Sequence, residues 1–384
     1  MEAMPHQLRR SATGTAGGLR DIRETHRLAV LREIYAARTV TRRDLAARAG
    51  VSVATASNIV AELLRAGVAR ETSYEDSEGG RPRGRITVNA RRGALVGVEV
   101  RAASIHIDVY DLALEPRTHW IVPATARRDV ERAVSAAVAH AGFDADRVIG
   151  VGVAAPATHR GVRLDPAVLR APVYVAEPAT AAAVAELWLG PSRHAGNLVS
   201  VTLADSAGAA IVVGGAPLAA AGGWGHTTVV LDGRLCWCGR SGCAEAYLGA
   251  PGILRTVHEL APDSRLVRDT PDATVRVLGR AMRDRDPAAA AVIGATARHL
   301  GVGVARLVNL IDPDVVTLNG WVVGVLGRWL LPAAREVVTG RRWPSTVRIE
   351  ASPVPRNAVT AGVAAAALQA SSYLATAWAG GVVR

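Results

Sequence analysis

The chain of 384 residues is 49% hydrophobic and carries a formal net charge of +11. It is too apolar for a disordered polyelectrolyte and long enough for two or three domains. All 45 basic residues are Arg; residues 1–93 hold 17 of them against 10 acids, a net of +7, and the other 291 residues carry the remaining +4. A basic N-terminal quarter on a nearly balanced body points to a polyanion-binding module joined to something else. The first residues lack a long apolar run, and apolar stretches elsewhere are interrupted, as at Arg328 within Trp321–Leu331. Neither a secretory signal nor a membrane span is expected, and the protein is read as cytoplasmic.

Residues 1–20 are rich in Ser, Thr, Gly and Arg without hydrophobic periodicity, and are expected to form a flexible basic arm. Over Glu24–Ala37, Leu28, Leu31, Ile34 and Tyr35 share one helical face. Thr41 is placed to cap a short helix, Arg42–Ala49, with Leu45 inward and Gly50 at its end. Ser52 is placed to cap a third helix, Val53–Ala66, buried through Ala56, Ile59, Val60, Leu63 and Leu64. Helix, short helix, glycine turn and helix is the helix-turn-helix pattern. A polar Ser/Glu/Gly loop then leads through Arg81-Pro82-Arg83-Gly84-Arg85 into Ile86-Thr87-Val88, the texture of a two-stranded wing with a basic tip. Residues 21–92 therefore read as a winged helix-turn-helix whose partner is double-stranded DNA. Its third helix fits the major groove, with Thr55, Ser57 and Asn58 toward base edges and Ser52 toward a phosphate. Arg81, Arg83 and Arg85, held extended by Pro82, suit the adjacent minor groove. The plainer alternative is a three-helix scaffold whose charges are merely solvated.

From Ala94 the texture becomes α/β. Leu95–Val100 and Ser104–Tyr110 read as a hairpin around a tight turn at Arg101–Ala103. A helix over Val130–Ala141, strands at Val148–Val153 and Val173–Val175, and an Ala-rich helix at Ala179–Leu189 follow. After a linker, Leu198–Leu203 and Ala209–Val213 repeat the strand-turn-strand pattern, an internal echo that suggests two similar lobes. Helices near Pro251–Glu259, Thr274–Arg283 and Ala288–Leu310, a buried strand at Val315–Leu318 and a closing helix at Ala358–Ala370 complete the chain.

All three cysteines fall inside eight positions, Cys236, Cys238 and Cys243. An odd number of thiols so close together is no disulfide framework, and the spacing is tight enough for one metal ion to gather them. Zinc takes four ligands in a tetrahedron; His226, upstream of Cys236, is the candidate fourth. A complete protein ligand set makes such a site structural. Three buried thiols packed as small hydrophobes are the bland alternative.

Gly225-His226-Thr227, followed by Cys236-Trp237-Cys238-Gly239 and Gly242-Cys243-Ala244-Glu245, resembles the zinc motif of the ROK family of bacterial sugar kinases and sugar-responsive repressors. The resemblance covers nearly the whole chain. It implies an actin-like, sugar-kinase-like α/β body of two lobes: 93–190, with 357–384 packing back on it, and 191–356, with the zinc knuckle. It also implies an inverted-repeat operator, and a homodimer or homotetramer. A Gly-Arg-Pro wing tip is typical of the family's repressors.

The kinase motifs that the resemblance would imply are degraded. The first phosphate turn, D-x-G-G-T in the family, matches Glu99-Val100-Arg101-Ala102-Ala103, without either glycine. The second, G-T-G-x-G, matches Ala204-Asp205-Ser206-Ala207-Gly208, with one glycine and an acid that repels phosphate. The catalytic aspartate position holds Pro178. Of the sugar-contacting groups His226 and Glu245 remain, with Glu177 as a substitute third; Glu245 could equally brace the zinc knuckle. The reading is a DNA-binding transcriptional regulator, a repressor, with a catalytically inert body that takes a sugar or sugar-derived effector. An ATP-dependent sugar kinase and a zinc-stabilised interaction protein are the alternatives.

Overall fold

In the N-terminal unit, Met1–Val88, caps decide where the helices begin and end. The computed structural model describes residues 18–75, 83–156, 164–218, 221–339, 346–354, 357–371 and 373–374. Helix α1 (Gly18–Ala37) starts inside the expected arm, six residues before Glu24, and is followed by strand β1 (Val40–Thr41), α2 (Arg42–Ala49) and α3 (Val53–Arg65). Thr41 Oγ1 accepts from the Asp44 amide, and Ser52 Oγ from the Thr55 amide. Gly50 ends α2 at φ 66°, a left-handed geometry that costs glycine little. Leu31, Ile34, Leu45, Ala56, Val60 and Leu63 meet in the core. Leu64, expected inside, is half-buried at the edge of that face. Glu62 locks α3 to α1 through Arg23 (2.7 Å) and Arg27 (2.9 Å).

Strands β2 (Ala69–Glu75) and β3 (Arg83–Val88) form the antiparallel wing, and β1 adds a third strand on the far side of β3. Arg83 and Arg85 thus lie inside a strand, with Arg85 opposite Thr41, rather than in an extended tip. Arg81 and Pro82 lie outside the described residues.

The second unit, Asn89–Arg384, contains the same sheet wiring twice. The first sheet contains β4 (Ala94–Val100), β5 (Ser104–Asp111), β6 (Pro116–Pro123), β7 (Val148–Ala154) and β8 (Val173–Ala176), in the order β6-β5-β4-β7-β8. Helices α4 (Val130–His140) and α5 (Pro166–Leu169) join its later strands, and α6 (Pro178–Leu189) leaves it. The second sheet contains β9 (Asn197–Leu203), β10 (Ala207–Val213), β11 (Ala216–Pro217), β12 (Val315–Asn319) and β13 (Arg348–Ala351), in the order β11-β10-β9-β12-β13. In each, the first strand runs antiparallel to the second and parallel to the fourth. Such central strands are covered on both faces, and every residue of β4 and β12 is buried.

Between β11 and β12 come α7 (Glu245–Leu248), α8 (Ala250–Leu260), α9 (Pro271–Arg283) and α10 (Pro287–Ile311); α11 (Trp321–Thr339) joins β12 to β13. Helix α10 is long and apolar enough to cross a membrane, but 61% of its apolar window is buried against neighbouring elements. The closing helix, α12 (Ala358–Ala370), lies on the first sheet. There a side chain at Gly97 or Gly152 would overlap the backbone of Thr360 or Val363.

Candidate nucleic-acid interface and metal centre

Packing turns one stripe of α3 outward. Ser52, Val53, Ala54, Asn58, Ala61 and Arg65 are exposed, whereas Thr55 and Ser57 are half-buried. The Thr55 hydroxyl lies 2.8 Å from Ser52 Oγ, which also accepts the Thr55 amide. Of the four positions read as DNA contacts on this element, Asn58 stands clear, and Ser52 and Thr55 are first of all a cap. Helical geometry brings residues three apart onto one face, which lets Thr55 reach Ser52. Val53 and Ala54 extend the exposed stripe. Arg43 and Arg48 on α2 are exposed as well. Arg42, by contrast, pairs with Glu71 at 2.7 Å. Arg85 is half-buried within β3.

In the second unit, a short 3-10 turn (Ala221–His226) delivers His226 to the cysteine loop. One ligand atom from each of His226, Cys236, Cys238 and Cys243 can be chosen so that all lie within 4.8 Å of one another. The Cys238–Cys243 sulfur separation is 3.7 Å, and Cys236 Sγ lies 3.6 Å from His226 Nδ1. Zinc bonds of about 2.3 Å to sulfur and about 2.0–2.1 Å to nitrogen give tetrahedral edges of about 3.8 Å and about 3.6 Å respectively. The donor set fits that ion. Burial pushes the Cys243 thiol up to about 12, while the Arg240 backbone hydrogen bond draws Cys238 down to about 7. Gly242 permits the fold of the loop: at φ 76° a side chain there would overlap the Val230 carbonyl.

Two fastenings of this loop had no signal in the sequence. Arg234 donates to Glu259, to the Ala246 and Gly252 carbonyls and to Thr256 Oγ1, with its guanidinium 4.4 Å from the Tyr247 ring centre. Trp237 Nε1 donates to Glu245 Oε1 at 2.8 Å, and its ring meets His226 edge-on at 4.9 Å. Glu245 opens α7 and approaches His226 Nδ1 at 3.8 Å; burial raises its carboxyl pKa, and the Trp237 bond partly offsets this. Glu177 is exposed at the start of α6. Two residues on, Ala179 packs at Gly208, and the adjoining Ala207 carbonyl lies against Gly225.

The two turns matched to the family's phosphate turns also meet. Asp205, in the β9–β10 turn, accepts from the Ala102 amide in the β4–β5 turn at 2.7 Å, and Pro178 occupies the first turn of α6. The body's topology and this metal loop agree with a family comparison: the ROK family model matches residues 166–370, more than half of the chain. The chain belongs to the ROK family. A winged helix-turn-helix DNA-binding model matches residues 23–70. The xylose repressor of Caldicellulosiruptor bescii is 24% identical over 89% of this chain and 94% of its own length. Among solved structures, a ROK family transcriptional regulator, a homologue of the Escherichia coli Mlc protein, superposes with TM-score 0.70. It covers 93% of this chain and 99% of its own at 20% identity, a likeness of fold. A ROK glucokinase from Streptomyces griseus superposes with TM-score 0.63 at 26% identity, covering 72% of this chain and 100% of its own.

Proposed function

We propose that the protein is a cytoplasmic, sequence-specific DNA-binding transcriptional repressor whose ROK body senses an effector and catalyses nothing. The observation that carries this reading is the exposed α3 stripe of a winged helix-turn-helix, in a chain that aligns with a repressor over most of its length. Asn58 is the side chain suited to pair with an adenine edge, and Val53 and Ala54 suit thymine methyl groups. Arg43 and Arg48 flank the reading helix and suit phosphates, fixing register without reading sequence. Arg83 and Arg85 in the wing strand, with Arg81 beyond it, are proposed to add backbone or minor-groove contacts. The protein binds an inverted repeat as a homodimer or homotetramer, since two-fold symmetry in the reader matches two-fold symmetry in the site.

His226, Cys236, Cys238 and Cys243 hold one zinc ion, supported by their mutual distances. Zinc with four protein ligands cross-links a loop and leaves no open position for chemistry. Trp237 and Arg234 then fix Glu245 and α8 relative to that loop. Glu177, His226 and Glu245 form the effector grip, and a sugar or sugar derivative is the class of ligand that matches such carboxylate and imidazole groups. An effector acts by binding one arrangement of the protein more tightly than the other.

Against phosphoryl transfer stand Pro178, which has no ionisable group where a base is needed, and Asp205, whose carboxylate faces the turn that would hold phosphate. Chromatin immunoprecipitation in the native host, with transcript levels after gene deletion, tests the function. Discrete sites whose neighbouring transcripts rise on deletion are expected. Uniform recovery of DNA with unchanged transcripts would remove the reading.

A further inference from the structure

Glu186, in the last turn of α6, has no exposed surface, and neither of its carboxylate oxygens meets a hydrogen-bond partner. No other acid among the described residues is stranded in this way. The carboxylate lies against Gly190, where a side chain would overlap Oε2. Two residues on, Ser192 Oγ donates to Oε1 of a second acid, Glu350 on β13, at 3.1 Å. Neither acid has an Arg or His partner among the described residues. Arg193, beside Ser192 in the chain, donates to the Gly190 carbonyl at 3.2 Å.

The place of this pair in the fold gives it meaning. The chain passes between the two lobes of the body twice, from α6 to β9 and from β13 to α12. Glu186, Gly190 and Ser192 belong to the first passage; Glu350 and Ser352 border the second. Ala185, Leu189, Val354 and Ala358 form an apolar cluster that packs the two passages together. Burial pushes the Glu186 carboxyl pKa up, the Ser352 hydroxyl opposes the rise, and the charge of Glu350 adds to it. Both Ser352 and Glu350 therefore act on the stranded carboxylate.

We propose that this junction holds one hard cation, sodium, potassium or calcium, ligated by Glu186, Glu350 and the Ser352 hydroxyl. A carboxylate out of reach of water needs a counter-charge or a proton. The second acid and the negative partial charge at the C-terminal end of α6 favour the counter-charge. All the donors are oxygen, which suits a hard ion and not a transition metal. Magnesium gives up its water reluctantly and fits a sealed junction poorly. An ion here ties the first passage to the second, and so sets how freely the lobes turn about them. This site is separate from the metal loop and from the effector grip, and it stands whether or not the body senses a sugar.

Thermal unfolding of the zinc-loaded, full-length protein in tetramethylammonium chloride tests the assignment, with sodium, potassium, calcium or magnesium chloride exchanged in at constant ionic strength. At least one of the first three is expected to raise the midpoint saturably, by about 4 °C at about a hundredfold excess over its Kd. Glu186→Gln keeps the shape of the side chain and removes its charge. It should fold, with a midpoint at or above that of the ion-free parent, and lose the shift. Glu350→Gln should weaken the ion severalfold, whereas Asp146→Asn, at an exposed acid of the first lobe, should leave it unchanged. The ion should also slow hydrogen exchange at the Ser192 and Ser352 amides, one in each passage. The proposal is overturned if none of the three ions raises the midpoint above its tetramethylammonium value, or if the shift survives Glu186→Gln. A parent indifferent to every cation, with Glu186→Gln melting above it, would show that a proton alone neutralises Glu186.

Discussion

Replacing Arg234 by Met keeps the aliphatic stem and removes the guanidinium that ties the metal loop to α8. Its side chain is 10% exposed, and Glu259, its ionic partner, is 54% exposed. Glu259 therefore returns to water when the pair is broken, so that half of the interaction is worth only about 0.5 kcal/mol. The bonds to the Ala246 carbonyl (3.0 Å), the Gly252 carbonyl (2.9 Å) and Thr256 Oγ1 (2.9 Å) lie deeper. Thr256 Oγ1 also donates to the Gly252 carbonyl, which keeps one partner in the variant. What is lost is chiefly the charge-assisted bond to Ala246, about 1.5–3 kcal/mol, and the contact with Tyr247, about 1 kcal/mol. Arg234→Met should thus cost about 3 kcal/mol in urea unfolding, and zinc should leave the variant faster on chelator challenge. A loss below about 0.5 kcal/mol with unchanged zinc release would refute the claim that Arg234 fastens the loop.

Other outcomes follow from the same geometry. If the parent protein purifies with one zinc ion by elemental analysis, as proposed, Cys238→Ser should purify without it; full metal content in the variant would contradict the ligand assignment. Asn58→Ala should weaken operator binding by about 1–3 kcal/mol and relax preference at one base pair, whereas Thr55→Ala should act mainly on stability through the lost Ser52 contact. His106 is neutral in the fold and titrates normally when unfolded, so the unfolded chain takes up the extra proton between about pH 6.5 and about 3. Its contribution is present above pH 6.5 and is lost as pH falls through that window. After allowance for partial solvent access, about 2 kcal/mol is expected. A His106→Gln protein should show a flatter stability profile there, and an unchanged slope would mean that other groups carry it.

Local signals were legible and long-range ones were not. Thr41, Gly50 and Ser52 announce the helix-turn-helix because caps act within four residues of themselves. The cysteine spacing announces the metal loop for the same reason. Strand β1 is two residues long and exists through its pairing with β3, where Val40 meets Ile86 and Thr41 meets Arg85, so no local pattern marks it. Helix α11 was passed over: Pro332 sits inside it, and its Val- and Trp-rich start has the composition of a strand. Arg83 and Arg85 read as a basic tip, yet Arg83 and Gly84 belong to the ladder with β2 and Arg85 pairs with Thr41 of β1. The repeat of strand-turn-strand hinted at two lobes, and the sheets make it explicit, although β6 and β13 left no trace in that pattern. Trp237 to Glu245 and Asp205 to Ala102 are matters of side-chain direction, which a sequence does not carry.

The central claim is sequence-specific DNA recognition by the N-terminal unit. Selection of bound duplexes from a random pool by the purified, zinc-loaded protein at near-physiological salt tests it most directly. An enriched inverted repeat, lost when Asn58 is replaced by Ala, is the predicted result. Salt-sensitive binding with no enriched sequence would contradict the account, leaving only the attraction of a basic surface for phosphate.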